Sequence, residues 1–403
     1  MSSLRRWGTP KMADLERFRR ETAAWLEANA PERLFGQPSK GSFDGFWGGV
    51  DPEYPGDDRQ AWFERMVDKG WTAPTWPTTY GGGGLSAAEG KILYEEMHRL
   101  ELPLPLVGMG LNMLGPVLLA HGTESQRRTH LPAIAQGRIR FCQGYSEPSA
   151  GSDLASLRTR GVVDEDELVV SGQKIWTSYA DVSDWCFCLV RTNPEVKKQL
   201  GISFVLIDLR SPGVETRRIE LISGASPFCE VFFDDVRVPV DNVIGGIDAG
   251  WGVAKAVLQH ERSSIGTSVS DQMQDLEEDL VGKAHSAAGV TSGVVPDPWA
   301  RDQIAGLTMR AQAFGLTAKR LSGGPPGAES SIFKVVGTEL KQARWELAAR
   351  LLGPDGLGWS GDDFDADHLD ATRQWLRSRA NTIEGGTTEI QLNIIARHVL
   401  GLK

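Results

Sequence analysis

The sequence lacks an apolar run of membrane-spanning length and an excess of positive charge. A transmembrane helix needs about 20 mostly apolar residues, and a nucleic-acid surface needs a basic patch. This chain of 403 residues instead carries 43 Lys and Arg against 53 Asp and Glu, a formal net charge of −10. Residues 1–7 also lack the apolar core of a secretory signal. We therefore expect a cytoplasmic protein that binds neither a membrane nor nucleic acid.

Metal-binding and phosphate-binding motifs are missing as well. The seven histidines form no HExxH pair, and no cysteine–histidine spacing suits zinc. Segment 84–91 has five residues between its glycines where a phosphate loop has four, which indicates a loop entering a helix. The acidic segment 362–367 is followed by His368 where a calcium loop needs glycine, which favours a solvated loop. Cys186 and Cys188 alternate with aromatic residues, which favours small apolar strand residues over a metal or redox pair. We expect no bound metal.

The pattern of the chain changes twice, and its length exceeds that of the usual single domain. Residues 1–138 have helical periodicity, and Ser86 is placed to cap one of the helices. Residues 139–247 are rich in β-forming residues, and residues 248–403 are helical again. Helices are predicted over residues 14–28, 87–100, 253–270, 299–322, 329–352 and 368–382. Strands are predicted over residues 162–170, 185–191, 202–208 and 230–236. These changes predict an α+β protein with a helical domain on each side of a β-domain.

Two neighbouring segments have the residues of a site for a planar aromatic ligand. Residues 143–153 read QGYSEPSAGSD, in which Pro148 and Gly151 force a turn. Residues 172–178 read GQKIWTS and follow a strand-like run, so that Trp176 lies beside hydroxyl groups. An indole ring can stack on a planar ligand, although a core aromatic residue is the simpler reading of Trp176 alone. The groups that would bond the polar edge of the ligand are the backbone amides and hydroxyls of Tyr145, Ser146, Thr177 and Ser178.

Together, these two segments resemble the flavin-binding segment of the acyl-CoA dehydrogenases. The resemblance extends to KGWTAPTWPTTYGGGGL at residues 69–85 and to NTIEGGTTEIQLNIIAR at residues 381–397, the C-terminal signature of that family. It implies a helical domain at 1–138, a barrel-like or sandwich-like β-domain at 139–247 and a four-helix bundle at 248–403. The implied activity is FAD-dependent oxidation of an acyl-CoA to the trans-2-enoyl-CoA, with electrons passed to an electron-transfer flavoprotein.

The implied reaction needs a carboxylate base for the α-proton of the thioester. Many family members carry it one residue before the Gly-Thr pair of the signature, where this chain has Gly385. Glu384 is one residue too early, a displacement of about 100° on a helical turn. The isovaleryl-CoA and long-chain acyl-CoA dehydrogenases share this glycine and carry the base before an Arg on the first long helix after the β-domain. Glu261 and Arg262 stand there, so we predict Glu261 as the base and Glu384 as the alternative. Without the resemblance, Glu261 would be read as half of a surface ion pair.

The resemblance also implies roles for the other site residues. Those around the isoalloxazine would be Tyr145, Ser146, Trp176, Thr177 and Ser178, with Gly151 and Ser152 approaching flavin and CoA. The Gly385 amide would polarise the thioester oxygen, and Arg262 would orient Glu261 or the local backbone. Thr387 and Glu389 would face the adenosine half of FAD, although a helix cap is the simpler reading of Thr387.

The chain departs from the family at two motifs that complete the FAD site of a neighbouring subunit. An Arg-x-x-Phe-Gly loop should fall near residues 289–304 and is absent there. A Gln-x-x-Gly-Gly turn is replaced by Arg350-Leu-Leu-Gly-Pro354, and proline removes an amide donor. Arg301 or Arg310 could supply the missing contacts. The asymmetry resembles the two-subunit acyl-CoA dehydrogenases of bacterial steroid side-chain breakdown, so we expect a related partner subunit, or otherwise a homotetramer. A non-catalytic structural subunit and a flavin oxidase or monooxygenase are the alternatives.

Overall fold

A computed structural model describes residues 12–39, 44–259, 276–321, 327–362 and 364–402. The chain divides into two compact units. The first comprises Met1–Leu111 and Leu118–Arg140, and the second comprises Asn112–Val117 and Phe141–Lys403. None of the helices within the described ranges is long and apolar enough to cross a membrane.

The N-terminal region is helical, as predicted. Its helices are α1 (Met12–Asn29), α2 (Asp57–Asp68), α3 (Ala87–Arg99), α4 (Gly115–His121) and α5 (Glu124–Ala135). Ser86 caps α3 as predicted, and it forms a capping box with Glu89. Leu26, Trp62 and Leu93 pack in one fully buried cluster between α1, α2 and α3. Each such side chain contributes roughly 1.5–3 kcal/mol by leaving water.

The middle region is one mixed sheet. Its strands are β1 (Phe141–Gly144), β2 (Arg160–Asp164), β3 (Glu167–Ser178), β4 (Trp185–Arg191), β5 (Ile202–Asp208), β6 (Val214–Ile219), β7 (Phe228–Pro239) and β8 (Val243–Ile244). Their order is β6-β7-β3-β2-β4-β5-β8, with β1 parallel to β4. The path therefore ends at β6 and β8 without closing, which corrects the barrel-like part of the expectation within the described residues. The strand predicted over 162–170 is a hairpin of β2 and β3, because Glu165 takes a left-handed conformation with φ of 57°.

The sheet encloses the cysteines. Cys142, Cys186, Cys188 and Cys229 are all free and fully buried, within a core that also holds Val170, Val205 and Val231. Burial raises the pKa of the Cys188 thiol well above its ordinary value. A protonated buried thiol packs as a small apolar group.

The C-terminal region is helical, and α9 is its centre. Its helices are α6 (250–259), α7 (Leu276–Ala287), α8 (Pro298–Leu321), α9 (Ser330–Leu351), α10 (Ala366–Ser378) and α11 (Thr388–Ile394). Leu280, Leu307 and Leu340 pack in the common core of α7, α8 and α9, and α10 and α11 also contact α9. The helix predicted over 368–382 ends four residues early, at Ser378, because a turn precedes the two glycines of the signature.

Candidate functional site

A buried ion pair holds the 143–153 segment against β3. Lys174 Nζ donates to Glu147 Oε1 over 2.7 Å and to the Tyr145 carbonyl over 3.3 Å. The Lys174 side chain is fully buried, and Glu147 is 6% exposed. Glu147 also accepts hydrogen bonds from the backbone amides of Arg158 and Thr159, at 2.6 and 2.8 Å. The carboxylate therefore joins three stretches of backbone.

The partners of Glu147 keep it ionised despite its burial. Burial by itself would raise the pKa of this carboxyl group. The positive charge of Lys174, the hydrogen bonds from Lys174 and Thr159 and the amide of Arg158 outweigh it, so that the pKa of Glu147 is lowered. The pair is thus an anion and a cation removed from water together.

The two predicted ligand segments lie side by side. The Ile175 amide donates to the Ser146 carbonyl over 2.9 Å, immediately beside the ion pair. Tyr145 is buried, with its ring edge-on to Phe187 at 6.1 Å and to Phe204 at 6.4 Å. Gly151 and Ser152 are exposed in the following turn.

Trp176 stands at an irregularity in the sheet. The register of β3 against β7 shifts between Lys174 and Thr177, and Trp176 has φ of 60°. A bulky residue rarely adopts that conformation, and such strain is concentrated at functional sites. Trp176 is 52% exposed, so it is not a core aromatic residue. The next side chain, Thr177, is fully buried, and its hydroxyl has no hydrogen-bond partner among the described residues.

The C-terminal signature forms a turn whose backbone conformation favours glycine. Gly385 and Gly386 have φ of 65° and 89°, and a Cβ on Gly386 would lie 2.5 Å from Gln391 Nε2. Gln391 Nε2 donates to the Gly385 carbonyl over 3.0 Å. The Gly385 amide has no acceptor within the described part of the chain. It is the donor that the family resemblance predicts for the thioester oxygen.

Thr387 caps the helix that follows this turn. Its hydroxyl accepts a hydrogen bond from the Ile390 amide at 3.3 Å, at the start of α11. Glu389 is exposed in the first turn of α11, and hydrogen bonds from its own amide and from the Thr387 hydroxyl lower its pKa. Its ionised carboxylate suits the positive end of the helix dipole.

Both carboxylate oxygens of Glu384 accept hydrogen bonds. Oε1 accepts a hydrogen bond from Asn381 Nδ2, and Oε2 accepts one from Arg377 Nη2 at 2.7 Å. The Arg377 guanidinium also lies over the ring of Phe228, 5.3 Å from its centroid. The Phe228 ring in turn meets the indole of Trp176 edge-on, with centroids 6.1 Å apart and planes at 87°.

These contacts join the two halves of the candidate site. One half is Trp176 on β3, and the other is the turn that contains Glu384, Gly385 and Gly386, called the Gly385 turn below. The sequence analysis missed the intermediates Phe228 and Arg377. Phe228 belongs to no recognised motif. Arg377 precedes Glu384 by seven residues, a spacing that gives no sign of contact when a turn lies between them.

Four further predicted residues remain, two of which the structure describes. Glu261 and Arg262 lie outside the described residues. The guanidinium of Arg301, in the first turn of α8, bonds to the carbonyls of Val295 and Pro296 in the preceding loop. The Arg350 guanidinium lies over the ring of Trp299, 4.9 Å from its centroid.

Removing Lys174 should destabilise the protein strongly. Lys174→Met leaves the Glu147 charge buried without its partner, and we expect a loss of about 3–5 kcal/mol in the free energy of unfolding. Because the native pKa of Glu147 is lowered, the pair's stabilisation is complete above the ordinary carboxyl pKa. This stabilisation is lost as the pH falls through the lowered pKa of Glu147. Urea unfolding of the wild type and of Lys174→Met at several pH values measures this.

The exposed pair of Lys198 and Asp153, at 2.8 Å, provides a matched control. Lys198→Met should cost about 1 kcal/mol or less. The double variant Lys174→Met with Glu147→Gln should recover part of the loss, since no unpaired charge is then buried. Equal effects of Lys174→Met and Lys198→Met would contradict a special role for the buried pair.

Comparison with known proteins agrees with this architecture. Models of the N-terminal, middle and C-terminal domains of acyl-CoA dehydrogenases match residues 50–138, 142–236 and 248–400. The acyl-CoA dehydrogenase IpdE1 of Mycobacterium tuberculosis (strain ATCC 25618 / H37Rv) is 37% identical over 395 residues, which cover 97% of this chain and 98% of the relative.

Two solved structures, each named for a pair of proteins, are also similar. The Tcur3481-Tcur3483 steroid ACAD is 30% identical with a TM-score of 0.73, covering 98% of this chain and 99% of the other. The ChsE4-ChsE5 complex from Mycobacterium tuberculosis is 29% identical with a TM-score of 0.72, covering 99% of both chains. With all three domain models matched in order and a relative that is similar along nearly the whole length, this chain belongs to the acyl-CoA dehydrogenase family.

Proposed function

We propose that this enzyme catalyses FAD-dependent α,β-dehydrogenation of a bulky acyl-CoA, of the steroid side-chain class, and passes the electrons to an electron-transfer flavoprotein. The observation that carries the proposal is the contact path from the exposed Trp176 through Phe228 and Arg377 to the turn at Gly385. It links an aromatic ring suited to a flavin with an amide suited to a thioester oxygen. Similarity to a structure described as a steroid ACAD favours the substrate class.

The residues around Trp176 fit a flavin. The indole ring is half exposed, and the buried Thr177 hydroxyl has no partner in the described part of the chain, so a ligand atom reached by rotation of that hydroxyl would satisfy it. Ser146 and Ser178 lie close to Trp176 along the backbone, since the Ile175 amide donates to the Ser146 carbonyl and Ser178, two residues after Trp176, pairs with Phe228. When bound, FAD would accept the hydride from the β-carbon of the substrate. Thr387 and Glu389, at the start of α11, would face its adenosine half.

The chain's own residues would remove the α-proton and stabilise the enolate. The Gly385 amide is the donor for the thioester oxygen, where negative charge develops in the transition state. Glu384 is the weaker candidate for the base, because hydrogen bonds from Arg377 and Asn381 hold its carboxylate within its own turn. This favours Glu261 as the base and Arg262 as the residue that orients it.

Glu261→Gln should retain flavin and lose turnover. We expect kcat to fall by ~10²-fold or more, the usual scale for a positioned acid or base. Flavin absorbance would report retention, and single-turnover reduction by acyl-CoA would isolate the chemical step. Glu384→Gln is the matched control and should lose about tenfold or less. The assignment is wrong if Glu261→Gln turns over normally while Glu384→Gln is inactive.

Trp176→Ala should weaken flavin binding and change the flavin spectrum, because an aromatic face is worth roughly 0.5–1.5 kcal/mol beyond its buried area. Equilibrium dialysis against FAD and the visible absorbance of the bound flavin measure both effects. Trp299→Ala is the control, since Trp299 is 40% exposed on α8 and contacts Arg350 instead. A Trp176→Ala variant with normal flavin affinity and an unchanged spectrum would place the flavin elsewhere.

We further propose that the working enzyme is a hetero-oligomer with a related acyl-CoA dehydrogenase subunit that retains the two lost motifs. Arg301 and Arg350 support this, because both guanidinium groups contact their own chain, which leaves Arg310, exposed on α8, as the other arginine that could supply the missing contacts. A pyrophosphate without charge-assisted hydrogen bonds would be held weakly. The partner would complete the FAD site of this chain, and this chain would complete no site in return. Without such a partner, the alternative is a homotetramer.

The chain alone should therefore be flavin-poor, and co-expression with such a partner should restore flavin and activity. Purified complexes should contain fewer FAD molecules than chains, measured by flavin absorbance against protein concentration. A panel from short straight-chain to steroid side-chain acyl-CoA thioesters would then test the substrate class. A fully flavinated and active homotetramer of this chain would refute the hetero-oligomer. A flavinated complex that loses all activity only when the partner's base is removed would identify this chain as the structural subunit.

A further inference from the structure

We infer that Arg377 is a positioning residue that sets the Gly385 turn against Trp176, with Glu384 as its anionic partner. This rests on the proposed function, because it assigns the flavin face to Trp176 and the oxyanion donor to Gly385. Glu384 then has a structural role beside the reacting atoms and no role in proton transfer.

The guanidinium of Arg377 makes two directional contacts at once. Nη2 donates to Glu384 Oε2 over 2.7 Å, and the flat face of the group lies 5.3 Å from the centroid of Phe228. Arginine suits such a position because its donors and its π face are fixed in one plane. The Arg377 side chain is 26% exposed and that of Glu384 is 39% exposed, so the pair is partly shielded from water and salt.

Each end of this arrangement holds one part of the candidate site. At the sheet end, Phe228 begins β7, pairs with Ser178 of β3 and touches the indole of Trp176 edge-on. At the other end, Glu384 precedes the amide of Gly385 directly in the chain. Asn381 Nδ2 holds the second oxygen of Glu384, so the carboxylate is fixed from two sides. Moving Arg377 would therefore shift the Gly385 amide relative to the Trp176 ring.

The backbone hydrogen bonds of the turn, from Glu384 to Ala380 and from Thr388 to Thr382, stay within the turn and its neighbouring helices and do not reach the sheet. Gly385 and Gly386 both have positive φ, and glycine leaves the backbone more freedom than any other residue. The Gln391 bond to the Gly385 carbonyl fixes the turn to α11, but it makes no link to the sheet. Through Phe228, Arg377 supplies the link between the turn and β3.

Variants at Arg377 should fold, because Arg377 borders a surface cavity of about 430 Å³ between α10 and the loop after β6. Shortening the side chain removes contacts without forcing neighbours together. The same cavity is lined by Arg373, four residues earlier on α10, whose guanidinium lies over Trp359 and not over Phe228. Arg373 is thus a matched arginine that lacks both contacts.

The test is a double-mutant cycle of Arg377→Gln and Glu384→Gln in the flavin-loaded complex. We expect each single variant to lower kcat about tenfold with little change in KM, a small loss on the scale of misplaced reacting groups. The kcat of the double variant should be no lower than that of the less active single variant, because both substitutions break the same link between Arg377 and Glu384. Arg377→Lys should restore part of the loss, since lysine keeps the charge but lacks the planar group. Arg373→Gln should leave kcat unchanged.

A second measurement is independent of activity and flavin. The near-ultraviolet circular dichroism of Trp176, isolated as the difference between each protein and its Trp176→Phe counterpart, should change in Arg377→Gln and stay constant in Arg373→Gln. Phe228→Leu breaks the same link without removing a charge, so it should change the signal too. If no acyl-CoA is oxidised at all, the proposed function fails while this signal still decides the role of Arg377. The inference is overturned if Arg377→Gln and Arg373→Gln behave alike, or if the losses in the cycle simply multiply.

Discussion

The ion pair of Glu147 and Lys174 is the interaction on which the candidate site depends. Its two charges are held 2.7 Å apart in a region where Lys174 is fully buried. Moving both from water costs several kcal/mol per ion, so the pair contributes less to stability than its short distance suggests. Its main effect is to fix the position of the 143–153 segment against β3. In its observed placement, the 143–153 segment provides acceptors for Lys174 and for the amides at 158 and 159 at the same time.

That constraint explains why Trp176 can stay strained and half exposed. Lys174 is anchored in the core two residues before it, and Thr177 is buried one residue after it. The register shift between these anchors leaves an extra residue with no room inside the sheet, and the indole turns outward. A left-handed tryptophan costs of order 1–3 kcal/mol, which the surrounding packing has to offset. Strain kept in this way is consistent with a side chain retained for a ligand.

The C-terminal signature shows how a familiar residue type can take a different role. A glutamate beside the glycines suggests a base, yet Glu384 is bound by an arginine and an asparagine. A carboxylate held by two directional hydrogen bonds is fixed in place, which suits it to hold the turn. Arg301 and Arg350, at the positions of the lost family motifs, likewise contact groups of their own chain. Asymmetric assembly with a partner subunit would follow from such local changes.

The sequence predicted the features that depend on local interactions. The Ser86 cap, the order of helical and β regions and the glycines of the signature follow from periodicity, capping and backbone freedom, which act over a few residues. The strand predicted over 162–170 was wrong in one respect, because the turn at Glu165 has no glycine or proline to announce it. The tertiary structure alone decided the contacts of Glu147 with Lys174, Phe228 with Trp176 and Arg377 with Glu384. Two of these pairs join residues that are tens of positions apart, and the third closes across a turn. Burial and side-chain direction decide such contacts only after the sheet and helices have packed, and no short-range pattern records them.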